Sequence, residues 1–305
     1  MTAGIIGPGE IAPSSGEPPF LHLPERDQFQ VRAARLDSLA AGHALGDYLR
    51  FLAALARAQH SALALVREVP LPDSELLQRC RAHGMAPLGA QVWTRAPIWR
   101  EALRHILATL DPGVSPEAAR TAILRLQKME VVGLERLADA ILAGDFARMD
   151  RAAVPFAAAA LQVYWLHMAT SLGSEAFARL ETHSACPVCA SAPVASVVRI
   201  GGDDHGLRYL ICSLCSAQWH TVRVKCALCE STQGISYYGI EGGSAAVKAE
   251  NCEACKGYLK ILYLDKDPNL EAVADDVASV ALDVLMAESG AERAGINFYL
   301  LGGDA

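Results

Sequence analysis

The sequence predicts a multidomain protein of α plus small β class: an N-terminal all-α helical bundle, two tandem four-cysteine knuckle modules, and a C-terminal helix. Three observations carry that prediction. Helical periodicity runs almost unbroken over residues 25–182, short β-rich stretches then replace it, and the CxxC turns among those stretches recur as a duplication. The expected divisions are an arm over 1–24, a helical domain over 25–182, a first module over 183–223, a second over 224–265, and a C-terminal helix and tail over 266–305. A chain of 305 residues, 52% hydrophobic and 20% charged, has material for about two domains and is too apolar to be disordered as a whole.

The arm is rich in Gly, Pro and Ser and is expected to be mobile. It contains two acids and neither Lys nor Arg before Arg26, so the basic start of an export signal is lacking and a cytoplasmic location is expected. Phe29, Ala33, Leu36 and Ala40 then recur at helical spacing, as do Leu45, Leu49, Leu52 and Ala56. Breaks fall at Pro70–Pro72, His83–Gly89 and Asp111–Glu117, giving six to eight helices, with Ser115 and Pro116 forming a helix start in which the hydroxyl caps and proline occupies the first turn. Residues 152–174 carry no charge and could mimic a membrane span; Pro155, Gln162, His167 and a run of alanines mark them as a core helix.

After Thr182, the stretches ASVVRI, LRYLIC, HTVRVKC and YLKILYL read as strands. The closing helix is expected to start at Pro268 behind an Asp267 cap, with Leu270, Val273, Val277, Val280 and Val284 as its apolar stripe.

Eight of the nine cysteines form four CxxC pairs: Cys186/Cys189, Cys212/Cys215, Cys226/Cys229 and Cys252/Cys255. Twenty-two residues separate the first pair from the second and the third from the fourth, and each cysteine of the first half recurs 40 positions later. Ser191/Ser231, Ser196/Ser236, Ile200/Ile240 and Gly202/Gly242 coincide at the same offset, and Arg208 and Lys248 match in type. Two cysteines two residues apart on a tight turn aim both sulfurs at one point, so two such knuckles close a tetrahedral shell of four thiolates. A shell of that kind has no open position for water or substrate, and suits a structural or electron-carrying ion rather than a hydrolytic one.

The duplication assigns Cys186, Cys189, Cys212 and Cys215 to one ion and Cys226, Cys229, Cys252 and Cys255 to another; a cross-braced pairing of first with third and second with fourth is the alternative. Zinc and iron suit four sulfurs equally. The residues that follow each second cysteine are Ala190, Ser216, Glu230 and Lys256, not glycine, which makes a left-handed turn there more costly.

Other candidates carry less chemistry. A redox CxxC would open a helix, and none of these pairs does. Cys80, inside a helical segment, reads as a core or groove residue, and His220 as a packed or surface side chain. No catalytic residue or cofactor loop is evident. With 34 acidic against 27 basic side chains and no basic stripe, a nucleic-acid partner is excluded.

LGDYLRFLAALARAQ (45–59), CPVC (186–189), CSLCSAQWHTVRVKCALC (212–229) and the long segment 248–288 resemble the FdhE family of bacterial formate dehydrogenase accessory proteins, and the resemblance runs from IIGPGEI at Ile5 to INFYLLGG at Ile296. It implies a cytoplasmic maturation factor rather than an enzyme, needed for active respiratory formate dehydrogenase and contacting its molybdenum-containing catalytic subunit. It also implies two rubredoxin-like (zinc-ribbon-like) modules in which the eight cysteines hold two metal ions, with iron favoured and zinc the alternative. A rubredoxin-like electron carrier is the competing reading, and self-association is a further expectation. The contact surface is expected at the junction near Thr182, where two folded units would form a groove.

Overall fold

A computed structural model describes residues 18–111, 115–147 and 149–300. Among them, seven α-helices precede the cysteine region: α1 Gln28–Ala40, α2 Gly46–Leu63, α3 Ser74–Ala82, α4 Ile98–Thr109, α5 Glu117–Lys128, α6 Val131–Ala143 and α7 Val154–Leu172. The stripes of α1 and α2 face inward as their spacing requires, with Phe29, Leu36, Leu49, Leu52 and Ala56 fully buried. Leu45 is only half-buried because it precedes the first turn of α2. The hub is α7, against which α2, α4 and α6 pack. Residues Arg151–Leu172 are long and apolar enough to cross a membrane, but every side chain from Val154 to Leu166 is buried within the protein.

The expected start at Ser115 is revised. Pro116 is the cap position itself, with extended backbone, and the Ser115 hydroxyl donates back to Asp111 O at 2.9 Å instead of capping α5. Much of the break before it, residues 112–114, lies outside the described residues, as do residues 1–17 of the arm.

The described residues also form one sheet of eight strands: β1 Leu21–His22, β2 Pro193–Val198, β3 Arg208–Cys212, β4 Gln218–Thr221, β5 Ile235–Tyr238, β6 Val247–Cys252, β7 Gly257–Tyr263 and β8 Glu292–Arg293. Its order is β1-β4-β3-β2-β7-β6-β5, with β8 also on β7. Two three-stranded antiparallel meanders, β2-β3-β4 and β5-β6-β7, therefore share a single sheet, joined where β2 runs parallel to β7. The end of the arm is built in as the short strand β1 beside β4, held by His220 N–H to Phe20 O at 2.9 Å.

The stretch HTVRVKC stays extended only to Thr221, because residues 222–225 turn into the third cysteine pair. The 40-residue offset that aligns the cysteines also slips by one in the first strand of each unit: Ser196 stands opposite Leu210, but Ser236 stands opposite Asn251, and β2 has a bulge near Pro193 that β5 lacks. Ser196 and Ser236 coincide in sequence without being equivalent in the sheet.

The closing segment forms two short helices, α8 Ala272–Ala278 and α9 Val280–Glu288. It begins at Glu271, whose carboxylate accepts from Val273 N–H and Ala274 N–H, while Asp267 instead binds Asn269 N–H and Arg35. At Ser279 the helix breaks, and the apolar stripe is re-aimed. Val273 and Val277 are buried, but Leu282 and Met286 replace Val284, which is 55% exposed.

Between helices and sheet lies a buried polar layer. Arg32 donates to Glu271 at 3.1 Å, and Gln59 and Gln162 bond each other and the Tyr299 hydroxyl. Lys260 donates to Asp283 at 2.6 Å and to the Asp276 carbonyl at 2.8 Å, and lies 3.1 Å from the Asp276 carboxylate as an ion pair. On the opposite face of the sheet, Arg208 on β3 donates to Glu250 on β6 at 2.7 Å, with both side chains buried, and so ties one meander to the other. Buried charges are stable only in the geometry that pairs them, so this layer fixes how the sheet sits on the helices.

Candidate metal centre

Each unit starts from two tight turns. In the first, Ala190 N–H returns to Cys186 O at 2.8 Å and Cys186 N–H reaches Ser191 O at 3.0 Å; in the second, Glu230 N–H returns to Cys226 O at 3.1 Å and Cys226 N–H reaches Ser231 O at 2.8 Å. Ala190, Ser216, Glu230 and Lys256 all adopt left-handed backbone, with φ between 59° and 60°. The turn therefore forms without glycine. Its cost of about 1–2 kcal/mol per residue is small beside the free energy on the order of 10 kcal/mol that a four-thiolate ion brings to folding.

These turns bring the sulfurs together in sequence order, Cys186, Cys189, Cys212 and Cys215 in one group and Cys226, Cys229, Cys252 and Cys255 in the other; the atoms within each group lie within 4.8 Å of one another. The cross-braced alternative is not what forms. Sγ–Sγ separations are 3.4 Å for Cys189–Cys212, 3.6 Å for Cys186–Cys215 and 3.7 Å for Cys189–Cys215, with 3.7 Å for Cys229–Cys252 and 3.9 Å for Cys226–Cys255. A tetrahedron with metal–sulfur bonds of about 2.3 Å has edges of about 3.8 Å, so both groups fit a four-coordinate ion. Backbone N–H groups of Leu214 and Cys215 point at Cys212 Sγ at 3.3 and 3.4 Å, and that of Leu228 at Cys226 Sγ at 3.4 Å, the orientation that stabilises a thiolate.

The electrostatics agree with the geometry. Burial pushes the Cys186 and Cys215 thiols well above the usual thiol range, whereas Cys189, equally buried, is held well below it by hydrogen bonds with Cys186, Cys212, Cys215 and Ser191. In the second group burial pushes Cys226 up to about 12, and Cys252, against its own desolvation, is lowered by the N–H groups of Cys255 and Ala254 and by neighbouring thiols. Cys189 in one group and Cys252 in the other are thus prepared to ionise, while burial holds back Cys186, Cys215, Cys226 and Cys255, because uncompensated negative charge cannot accumulate there. A bound cation removes that obstacle, and the donor set suits zinc and iron alike.

The settings of the two groups differ. All four cysteines of the first are buried, while Cys229 and Cys255 of the second are exposed. The loop after α3 accounts for part of the difference: Leu88 N–H donates to Val188 O at 3.0 Å and Ala90 N–H to Cys189 O at 2.9 Å, and Trp165 of α7 holds that loop through Leu88 O at 2.8 Å. A cleft of about 440 Å³ at the junction of helices and sheet reaches Cys189, Ala190 and Ser191 on one side and Gln91 and Val92 on the other. The second knuckle has a lighter brace, His183 Nδ1 to Glu230 at 2.7 Å with Lys225 3.7 Å from the same carboxylate. Nothing local in 83–93 announces the bracing loop, whose role depends on contacts a hundred residues away.

Cys80 is buried in α3 and lies outside both groups, its thiol pushed up by burial. His220 packs edge-on to Tyr209 at 5.6 Å, and burial, with Arg179 nearby, lowers its basicity.

Three family models described as FdhE N-terminal, FdhE central domain and FdhE C-terminal domain match residues 17–182, 185–223 and 224–300. A Pseudomonas aeruginosa protein named as an FdhE homolog is 40% identical over 99% of both chains. One from Serratia proteamaculans is 44% identical over 94% of this chain and 92% of its own length, and the FdhE protein of Salmonella paratyphi B is 41% identical over 98% and 96%. The crystal structure of the Pseudomonas aeruginosa FdhE protein superposes with a TM-score of 0.85 at 40% identity, covering 94% of this chain and all of that one.

Proposed function

Since the chain belongs to the FdhE family, we propose that it is a cytoplasmic accessory protein for formate dehydrogenase that binds the molybdenum-containing catalytic subunit and supports its maturation without catalysing a reaction of its own. Cys186, Cys189, Cys212 and Cys215 hold one metal ion and Cys226, Cys229, Cys252 and Cys255 a second, each closed by four thiolates, with iron favoured. The observation that carries the reading is the pair of converged four-sulfur groups in a chain that matches the family over nearly its whole length.

The test is capture of the catalytic subunit by the tagged chain, together with formate dehydrogenase activity in a strain lacking the protein. Capture and loss of activity are expected; failure of capture with normal activity would replace the proposal. One observation favours the rubredoxin-like electron carrier as second reading: Cys229 and Cys255 are exposed, so an ion held there would lie within reach of a redox partner. Metal analysis and a visible spectrum on anaerobically purified protein separate the two, because a carrier requires iron that changes colour reversibly, whereas zinc is colourless.

A further inference from the structure

In the duplicated sheet, β2 and β5 are equivalent strands, and among the described residues only one of them is covered. Ser196 stands opposite Leu210 in the first unit as Tyr237 stands opposite Glu250 in the second, and those two opposite residues are 40 positions apart, like the cysteines. The outer edge of β2 is occupied by β7, which runs parallel to it in the register Ser196–Ile261 and Val198–Tyr263, with Leu264 N–H donating to Val198 O at 3.2 Å. Among the described residues β5 has β6 as its sole strand neighbour. Glu253 N–H donates to Gly234 O at 2.9 Å, and alternate residues of a strand turn their backbone groups to opposite edges, so Ser236 and Tyr238 face β6 while Ile235 and Tyr237 direct N–H and C=O outward.

Exposure follows the same division. Ser196 and Val197 are 0% and 5% exposed, against 44% and 47% for Tyr237 and Tyr238. Successive side chains leave opposite faces of a strand, so two exposed tyrosines in a row mean that both faces of β5 are open as well as its edge. The knuckles repeat the contrast: backbone N–H groups of Leu88 and Ala90 cover Val188 O and Cys189 O, and among the described residues none reaches the matching Leu228 and Cys229 carbonyls.

We infer that the β5 edge, with the second knuckle at its base, is the surface on which the partner protein docks, by adding an extended apolar segment parallel to β5 as β7 lies on β2. The inference rests on the reading that this chain binds the formate dehydrogenase catalytic subunit, and it places the contact on β5 rather than in the junction cleft. The repeat mate specifies the occupant: Ile261, Leu262 and Tyr263 are what covers β2, and Tyr237, Tyr238 and Ile240 offer a matching aromatic and aliphatic surface. A second copy of this chain paired β5 to β5 fits less well: a two-fold pair of such strands is antiparallel, with the Ile235 ends, next to Cys252, at opposite ends and both knuckles uncovered, and the strand at the far edge of the sheet, β1, spans only Leu21–His22.

Amide hydrogen exchange on the full-length chain, alone and with the purified catalytic subunit, tests this. The Ile235 and Tyr237 amides are expected to exchange fast in the isolated chain and at least roughly tenfold more slowly in the complex. Tyr237→Pro removes an outward N–H and leaves the β6-facing bonds of Ser236 and Tyr238, and should weaken capture about tenfold with both metal equivalents retained; Tyr238→Asp, which keeps the backbone intact, should also weaken it. A complex that forms with protection confined to other segments overturns the docking surface and leaves the functional reading standing. Absence of any complex removes both. Slow exchange in the isolated chain at every dilution would mean that a segment of this chain covers the edge, and slow exchange only on concentration would mean a second copy; either overturns the inference.

Discussion

The first and second cysteine units contain the same knuckles and sit in opposite surroundings. In both, a CxxC turn ends on a left-handed residue and the sulfurs converge to within 4.8 Å. Yet the first is enclosed by the 88–90 loop, α7 and the rest of the core, while the second leaves Cys229 and Cys255 in contact with solvent. Identical local geometry thus serves two ends. The enclosed unit is continuous with the hydrophobic core, so that its loss should be felt through the whole chain, whereas the open one, with two of its four sulfurs at the surface, can be perturbed at modest cost to the fold.

The sharpest way to break this comparison is to remove each site in turn. Cys186→Ser with Cys189→Ser should lose one metal equivalent and destabilise the chain by more than about 5 kcal/mol, the scale of a whole domain's stability, so that soluble yield collapses. Cys226→Ser with Cys229→Ser should lose the other equivalent and leave the main helical melting transition in place. Metal analysis and thermal circular dichroism decide between them, and the reverse ranking would contradict the roles given above.

Somewhat smaller is the effect expected where the two units are tied together. Arg208→Met leaves Glu250 buried without its partner and should cost about 3–5 kcal/mol, while adding Glu250→Leu should recover most of it. If the single substitution loosens only one unit in hydrogen exchange, the Arg208–Glu250 pair is not the tie.

Accessibility can be compared directly by rate. Under a chelator and a thiol reagent, Cys229 and Cys255 should react first and one metal equivalent should leave at least about tenfold faster than the other, a barrier difference of roughly 1.4 kcal/mol. Simultaneous loss of both equivalents would erase the distinction. The smallest effect belongs to the turns themselves: Ala190→Gly and Lys256→Gly should each relieve left-handed strain, partly offset by greater freedom in the unfolded chain, and raise stability by no more than about 1 kcal/mol in either unit. Unequal gains would show that surroundings reach into the turn.

Much of this molecule is written in short-range signals. The i, i+3, i+4 spacing of Phe29, Ala33, Leu36 and Ala40 places one face of α1 in the core, and the CxxC spacing with its 40-residue repeat sets both the knuckles and the sequential grouping of their sulfurs. The spacing also locates the four left-handed positions, as the residues after Cys189, Cys215, Cys229 and Cys255, but their lack of glycine argues against the turn that nonetheless forms there. What only the tertiary structure decided is everything that depends on which distant surfaces meet. The parallel pairing of β2 with β7, the burial of Lys260 against Asp276, the turn of the closing helix at Ser279 and the unequal exposure of two equal cysteine sets all arise from contacts between segments far apart in the chain. Periodicity and spacing report a residue's neighbours along the backbone, whereas burial is a property of the assembled packing, and two identical motifs carry no local mark of which one the core will enclose.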